Sequence, residues 1–173
     1  MAFRQVARVT GKFSIFWPEW LEVTSVSEED APEIGDFLLR LGHPLRPECQ
    51  PGTLDGATYY VRRLFDYHRT NRNNRNYPLA LQCSTIVRQT ESGQIVGVCL
   101  VGGGGDGGQE FGVYDIQVDP NCRNQGIGTS MIRRSLMILA EHGIPEFHLW
   151  REDDSRAQSL YERLGFQPTG AVE

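Results

Sequence analysis

Several features are missing from this 173-residue sequence, and each absence removes a class of function. No apolar run approaches the ~20 residues that a membrane-spanning helix needs. At the N-terminus Arg4, Gln5, Arg8 and Lys12 interrupt what would have to be the apolar stretch of a secretory signal. Cys49, Cys83, Cys99 and Cys122 are widely spaced, with no CxxC pair and no Cys/His cluster, so no metal site is expected. An excess of positive charge is also missing. Lys and Arg number 17 against 22 Asp and Glu, the net charge is −5 and the pI is about 5.4, which argues against a bulk nucleic-acid binder. The expectation is a cytoplasmic protein with reduced, buried thiols, bound to neither membrane nor nucleic acid.

What is present suits one globular domain. Hydrophobic residues make up 39% and charged residues 23%. Residues 1–20 read as an N-terminal extension with weak strand character, and 21–173 as a single domain. LEVTSV, 21–26, reads as a strand. Ser27-Glu28-Glu29-Asp30 places a serine three residues before an acid, a capping-box signal. The helix it opens carries Ile34, Phe37, Leu38 and Leu41 and is closed by Gly42. Residues 43–57 read as an ordered loop, 57–69 as a second helix and 69–77 as a polar, arginine-rich loop.

Residues 81–89 and 94–102 read as a hairpin about Ser92-Gly93. Residues 102–108, GGGGDGG, are too glycine-rich for strand or helix, and 110–118 is the next strand. A helix over 126–142, a strand at 147–150, a helix over 155–164 and a short strand from Phe166 complete a mixed α/β layer fold.

The most informative stretch is Arg123-Asn124-Gln125-Gly126-Ile127-Gly128, between a strand and a helix. A helix N-terminus has unpaired N–H groups and a partial charge of roughly +0.5, and glycines let an anion approach them. Two glycines alone fit a tight turn as well as a phosphate cradle. Thr129-Ser130-Met131 follows, without the lysine of a P-loop, which argues against an NTPase. Met131 stands where a dinucleotide fingerprint needs its third glycine, and the loop lies late in the chain, behind a hairpin.

The remaining pattern, Arg-x-x-Gly-x-Gly after a strand ending Val118-Asp119-Pro120, resembles the acyl-CoA loop of the GNAT acetyltransferase superfamily. RAQSLYERLGFQP, 156–168, is similar to that family's closing Ala-x-x-Leu-Tyr…Gly-Phe helix, and LLRLGHP, 38–44, to the end of its first helix. The resemblance covers roughly residues 21–170. It implies a central mixed, mostly antiparallel twisted sheet with splayed central strands and helices on both faces. It also implies an acetyl-CoA-dependent N-acetyltransferase, in which a primary amine of a small molecule or peptide attacks directly in a ternary complex. A non-catalytic acyl-CoA binding or sensing module is the alternative.

By that resemblance, Arg123, Asn124, Gln125, Gly126, Ile127, Gly128 and Thr129 wrap the CoA pyrophosphate, and the backbone of Ile116, Gln117 and Val118 meets the pantetheine arm. Tyr161 stands at the position of the family's general acid. A phenol of pKa about 10 can protonate a departing thiolate of about 8.5 at modest cost. Asp154 replaces the family's usual asparagine; it contacts CoA or caps the last helix. An amine of pKa about 10.4 needs a proton acceptor. Candidates are Glu110 and Asp115, with His148 and Glu152 on the neighbouring strand. Asp115 alternates with Tyr114 and Ile116 and is expected to face away from both. The arginines of 69–76 either select an anionic acceptor or are simply solvated. The chain ends soon after Phe166, so the N-terminal extension is expected to cover a sheet edge or to pair with a second subunit in a homodimer.

Overall fold

The structure, a computed structural model, describes residues 2–9, 13–70, 76–104, 110–152 and 158–171. Its elements are β1 (Ala2–Arg8), β2 (Leu21–Ser25), α1 (Ala31–Arg40), α2 (Leu54–Thr70), α3 (Tyr77–Cys83), β3 (Thr85–Gln89), β4 (Ile95–Gly104), β5 (Glu110–Val118), α4 (Ile127–Glu141), β6 (Glu146–Glu152), α5 (Gln158–Arg163) and β7 (Gln167–Ala171).

The strands form one open sheet in the order β2-β3-β4-β5-β6-β1-β7. Every neighbouring pair is antiparallel except β5 and β6, which run parallel. Helices cover both faces. On one, Ile34, Phe37 and Leu38 of α1 and Val61 and Phe65 of α2 pack on Ile86, Val98 and Leu100. On the other, Met131, Ile132, Leu136 and Leu139 of α4 pack on Val87, Cys99, Val101, Phe111 and Phe147. All four cysteines are free and buried, and burial pushes the Cys83 and Cys99 thiols up to about 12, which makes them poor nucleophiles.

Local chemistry accounts for the elements that frame the site. The Ser27 N–H donates to Asp30 Oδ2 at 2.7 Å, the reciprocal half of the expected capping box. It caps a 3-10 turn, Glu28–Asp30, which leads into α1. At the other end Gly42 adopts φ +65, its N–H donates to the Leu39 carbonyl and that of His43 to the Leu38 carbonyl. This is a Schellman stop. It fixes where His43 leaves the helix.

Four sequence expectations need correction. The loop expected over 43–57 ends at Thr53, because Thr53 Oγ1 accepts from the Gly56 N–H and starts α2 early. Residues 81–83 belong to α3 and not to the following strand. Pro78 sits in the first turn of that helix, and Arg134 of α4 donates to Ser84 O and Thr85 Oγ1 where it ends. Gly102–Gly104 are strand, paired with Glu110–Gly112; glycine is tolerated there because two rings approach its backbone closely. The fourth concerns Tyr114 and follows from a bulge in β5. Residues 105–109, the rest of the glycine run, lie outside the described residues.

The N-terminal segment, expected to cover a sheet edge, instead lies inside the sheet. Strand β1 pairs with β6 from Ala2↔Glu152 to Arg8↔Glu146, and with β7 on its other side. The outer strands are β2 and β7.

Candidate active site

Among the described residues, strands β5 and β6 are joined at Phe111↔Phe147, Gly112↔His148 and Val113↔Leu149. Beyond these pairs β5 continues to Val118 against β4 alone, and β6 continues to Glu152 against β1 alone. The two parallel strands therefore part at Tyr114, and among the described residues one backbone edge of Tyr114–Val118 has no partner strand.

A bulge marks the same point. Leu100 pairs with Asp115 and Val101 with Val113, so Tyr114 is the extra residue on β5. Its insertion shifts the strand's phase. Phe111, Val113, Ile116 and Val118 all pack on the α4 side. Tyr114 and Asp115 both turn to the α1/α2 side, Tyr114 against Tyr67 and His68, Asp115 against Tyr60 and His43. Asp115 thus faces away from Ile116, as alternation predicts, but not from Tyr114.

Below the opening, β5 runs into the glycine loop. Asp119 Oδ1 accepts from the Asn121 N–H at 2.9 Å and closes a 3-10 turn over Pro120–Cys122. Arg123 Nε donates back to the Val118 carbonyl at 3.3 Å. Asn124 and Gly126 both hold positive φ, +61 and +78. The first backbone bond of α4 runs from the Ser130 N–H to the Gly126 carbonyl. The N–H groups of Ile127, Gly128 and Thr129 therefore have no acceptor within the helix. The two glycines differ in kind. Gly126 is needed for its left-handed backbone, whereas a Cβ on Gly128 would meet nothing nearer than Val118 Cγ2, at 3.8 Å. The protein's own packing does not demand a glycine at 128; an anion approaching the helix end would.

Asp115 lies at the centre of a polar network. His43 Nε2 is 2.8 Å from Asp115 Oδ2, the Tyr60 hydroxyl donates to the same oxygen at 2.9 Å and Gln117 Nε2 donates to Oδ1 at 2.9 Å. Burial would raise the Asp115 pKa, but the hydrogen bonds from His43 and Gln117 outweigh it and hold the carboxyl below its usual value. The hydrogen bond to Asp115 raises the His43 pKa against the opposing effect of burial.

The sequence pattern that carries the loop matches a known family: residues 82–168, half of the chain, match the model of the acetyltransferase (GNAT) domain. The chain belongs to the GNAT acetyltransferase family. Solved GNAT structures share its architecture. A GCN5-related N-acetyltransferase from Sphaerobacter thermophilus aligns over 97% of this chain and 48% of its own, with TM-score 0.66 and 19% identity. The ribosomal-protein-S5-alanine acetyltransferase of Vibrio fischeri aligns over 91% and 85%, with TM-score 0.65 and 16% identity. Among curated relatives, the mycothiol acetyltransferase of Beutenbergia cavernae is 35% identical over 57 residues, and that of Kocuria rhizophila 36% over 66. These matches cover 32% and 38% of this chain and only 19% and 22% of the relatives' length.

Within the GNAT domain the structure gathers Ile116, Gln117 and Val118 at the unpaired edge and Arg123–Thr129 directly below it. Tyr161 sits on α5 against the Phe166 ring, edge-on at 5.9 Å, and burial followed by the nearby Cys99 raises its pKa. Glu110 lies at the paired end of β5, exposed, and His148 is buried on β6 with Nε2 3.6 Å from Glu146 Oε2. Asp154 lies outside the described residues. Arg69 belongs to α2, where it donates to Glu28 and Asp66; residues 71–75 lie outside the described residues.

Sequence reasoning missed His43 and Tyr60. His43 follows the helix-stopping Gly42, a signal that it leaves the helix at a fixed angle. Tyr60 lies on α2 next to the buried Val61, and its spacing alone does not reveal that its hydroxyl reaches a carboxylate.

Proposed function

We propose that this domain transfers an acetyl group from acetyl-CoA to a primary amine of a small molecule or peptide, by direct attack within a ternary complex. The observation that carries this reading is the gap between β5 and β6, which opens onto a helix N-terminus whose first N–H groups lack acceptors within the helix. The residues present fit the co-substrate. The N–H groups at Gly126–Thr129, with Arg123 beside them, suit a pyrophosphate. The unpaired edge of Ile116, Gln117 and Val118 suits the amide groups of a pantetheine arm, which can pair with it as a strand would.

The amine nitrogen forms a bond to the thioester carbon, the carbon–sulfur bond breaks, and CoA leaves as a thiolate. Tyr161, kept protonated by burial, supplies a proton or a hydrogen bond to that sulfur. The proton lost by the amine passes towards Asp115 and His43, directly or through one water. Asp115 stays ionised, and its hydrogen bond raises the His43 pKa, which makes His43 the more basic partner for the proton.

Release of free CoA thiol from acetyl-CoA, measured across a panel of primary amines, tests this. Amine-dependent release is expected. Tight acetyl-CoA binding with no release for any amine would instead support a binding or sensing module.

A further inference from the structure

Asp115 is the first residue of β5 beyond Tyr114, the point where β5 and β6 part. Its oxygens are largely taken. Oδ2 accepts from the Tyr60 hydroxyl and lies 2.8 Å from His43 Nε2, and Oδ1 accepts from Gln117. Three of the roughly four acceptor positions of a carboxylate are thus in use. The side chain is only 9% exposed, and its lowered pKa makes it a weak base.

His43 is arranged the other way. An ionised carboxylate has no proton to give, so the contact with Asp115 requires the proton on His43 Nε2. In the neutral ring Nδ1 then carries the free lone pair. Nδ1 is buried and meets no hydrogen-bonding partner among the described residues. A buried acceptor without a partner is costly, and a substrate N–H or one water removes that cost.

Tyr60 bears on both residues. Its hydroxyl donates to the same Oδ2 at 2.9 Å, and its ring lies 5.5 Å from that of His43, tilted by 40°. Burial, followed by the Asp115 charge, raises the Tyr60 pKa, so the hydroxyl keeps its proton and stays a donor. The helix that carries Tyr60 is in backbone contact with the helix that leads to His43: a Cβ on Gly35 of α1 would lie 2.7 Å from the Thr58 nitrogen of α2. The other ionisable groups that act on this cluster are Cys49 and Arg46, near Tyr60, and Cys99, on the opposite face of the sheet from Asp115.

We propose that Tyr60 is a positioning residue for the transfer, and that the amine proton goes to one atom, His43 Nδ1. Because Tyr60 shares Oδ2 with His43, the carboxylate holds the Nε2–H less tightly than it would alone. The imidazole is therefore neutral, and able to act as a base, at a lower pH than Asp115 by itself would allow. As the amine nitrogen bonds to the thioester carbon, its proton moves to Nδ1, directly or through one water. The imidazolium keeps its Nε2–H on Asp115 and then releases the Nδ1 proton to water. This rests on the acetyl-transfer reading above and assigns the proton-accepting atom within it.

Two readouts on the full chain and on Tyr60→Phe, Asp115→Asn and His43→Gln test it. One is the pH dependence of kcat for thiol release from acetyl-CoA, with the panel amine that turns over fastest held at saturation. The other is nitrogen NMR of the histidine rings without substrate, where the signal lost in His43→Gln identifies His43. Neutral His43 should be the Nε2–H tautomer, and kcat should fall on the acid side as His43 gains a proton. Tyr60→Phe keeps the ring and removes only the hydroxyl; it should move both the NMR titration and the acid limb of kcat to higher pH. Asp115→Asn should move both to lower pH and retain the limb. His43→Gln should abolish the limb and lower kcat about 100-fold or more. A purely structural Tyr60 would change the folded fraction and move neither titration. The proposal is overturned by an Nδ1–H tautomer, by a limb that survives His43→Gln or vanishes in Asp115→Asn, or by a limb that Tyr60→Phe leaves in place. Any of these, with thiol still released, leaves the transfer reading standing; no release with any amine removes both.

Discussion

His43 Nε2 lies 2.8 Å from Asp115 Oδ2, and this contact ties the end of α1 to the strand that borders the gap in the sheet. The His43 pKa is raised on folding from 6.5, chiefly by that hydrogen bond. Its contribution to stability is therefore full below pH 6.5 and is lost as pH rises through the raised folded value. His43→Gln should cost about 2 kcal/mol near pH 6, the worth of a hydrogen bond to a charged group, and clearly less near pH 9. Urea denaturation of both proteins at the two pH values checks this; an equal loss at both would contradict it.

His68 should behave with the opposite sign. Its folded pKa is lowered from 6.5 to about 4 by burial, so the stability tied to its neutral form is present above pH 6.5 and declines as pH falls towards 4. Wild type should lose up to about 2 kcal/mol relative to His68→Gln between pH 6.5 and pH 5, at 1.36 kcal/mol per pKa unit. The same denaturation series reads it, and parallel pH profiles for the two proteins would count against a buried neutral histidine.

Gly126 and Gly128 should separate stability from binding. Gly126→Ala forces a side chain into φ +78 and is expected to cost about 1 kcal/mol. Gly128→Ala meets only Val118 at 3.8 Å and gains helix propensity, so it should leave the melting temperature unchanged or raise it. Thermal unfolding of the two variants decides whether their order is as stated.

Tyr161→Phe keeps the ring that packs against Phe166 and removes only the phenol oxygen. Turnover should fall roughly 10- to 100-fold, within the range of general-acid effects, while acetyl-CoA affinity changes less than about twofold. Equal turnover in the variant would take Tyr161 out of the chemistry.

The parts of the fold that obey local rules are legible in the sequence. Strand β5 came out with its observed ends because glycine-rich and proline-containing segments bound it, and α4 because Gly126 and Gly143 frame a helical apolar pattern. The Arg123–Gly128 loop was legible because its glycine spacing and its place between strand and helix are properties of one short segment. What depended on distant partners was not legible. Alternation along β5 could not foresee the bulge at Tyr114, since that is set by pairing with Leu100 and Val101. The His43–Asp115–Tyr60 network joins three elements, and no spacing along the chain announces it. The interior position of β1 likewise depends on β6 and β7, more than 130 residues later.

Calorimetric titration of the whole chain with acetyl-CoA tests the central claim, that the loop below the gap is an acyl-CoA phosphate cradle. Saturable one-to-one binding is predicted, weakened at least about tenfold by Gly128→Val, whose side chain would stand over the N–H groups that anchor the anion, with no loss of folded structure. No binding by wild type, or identical binding by a folded Gly128→Val protein, would contradict it.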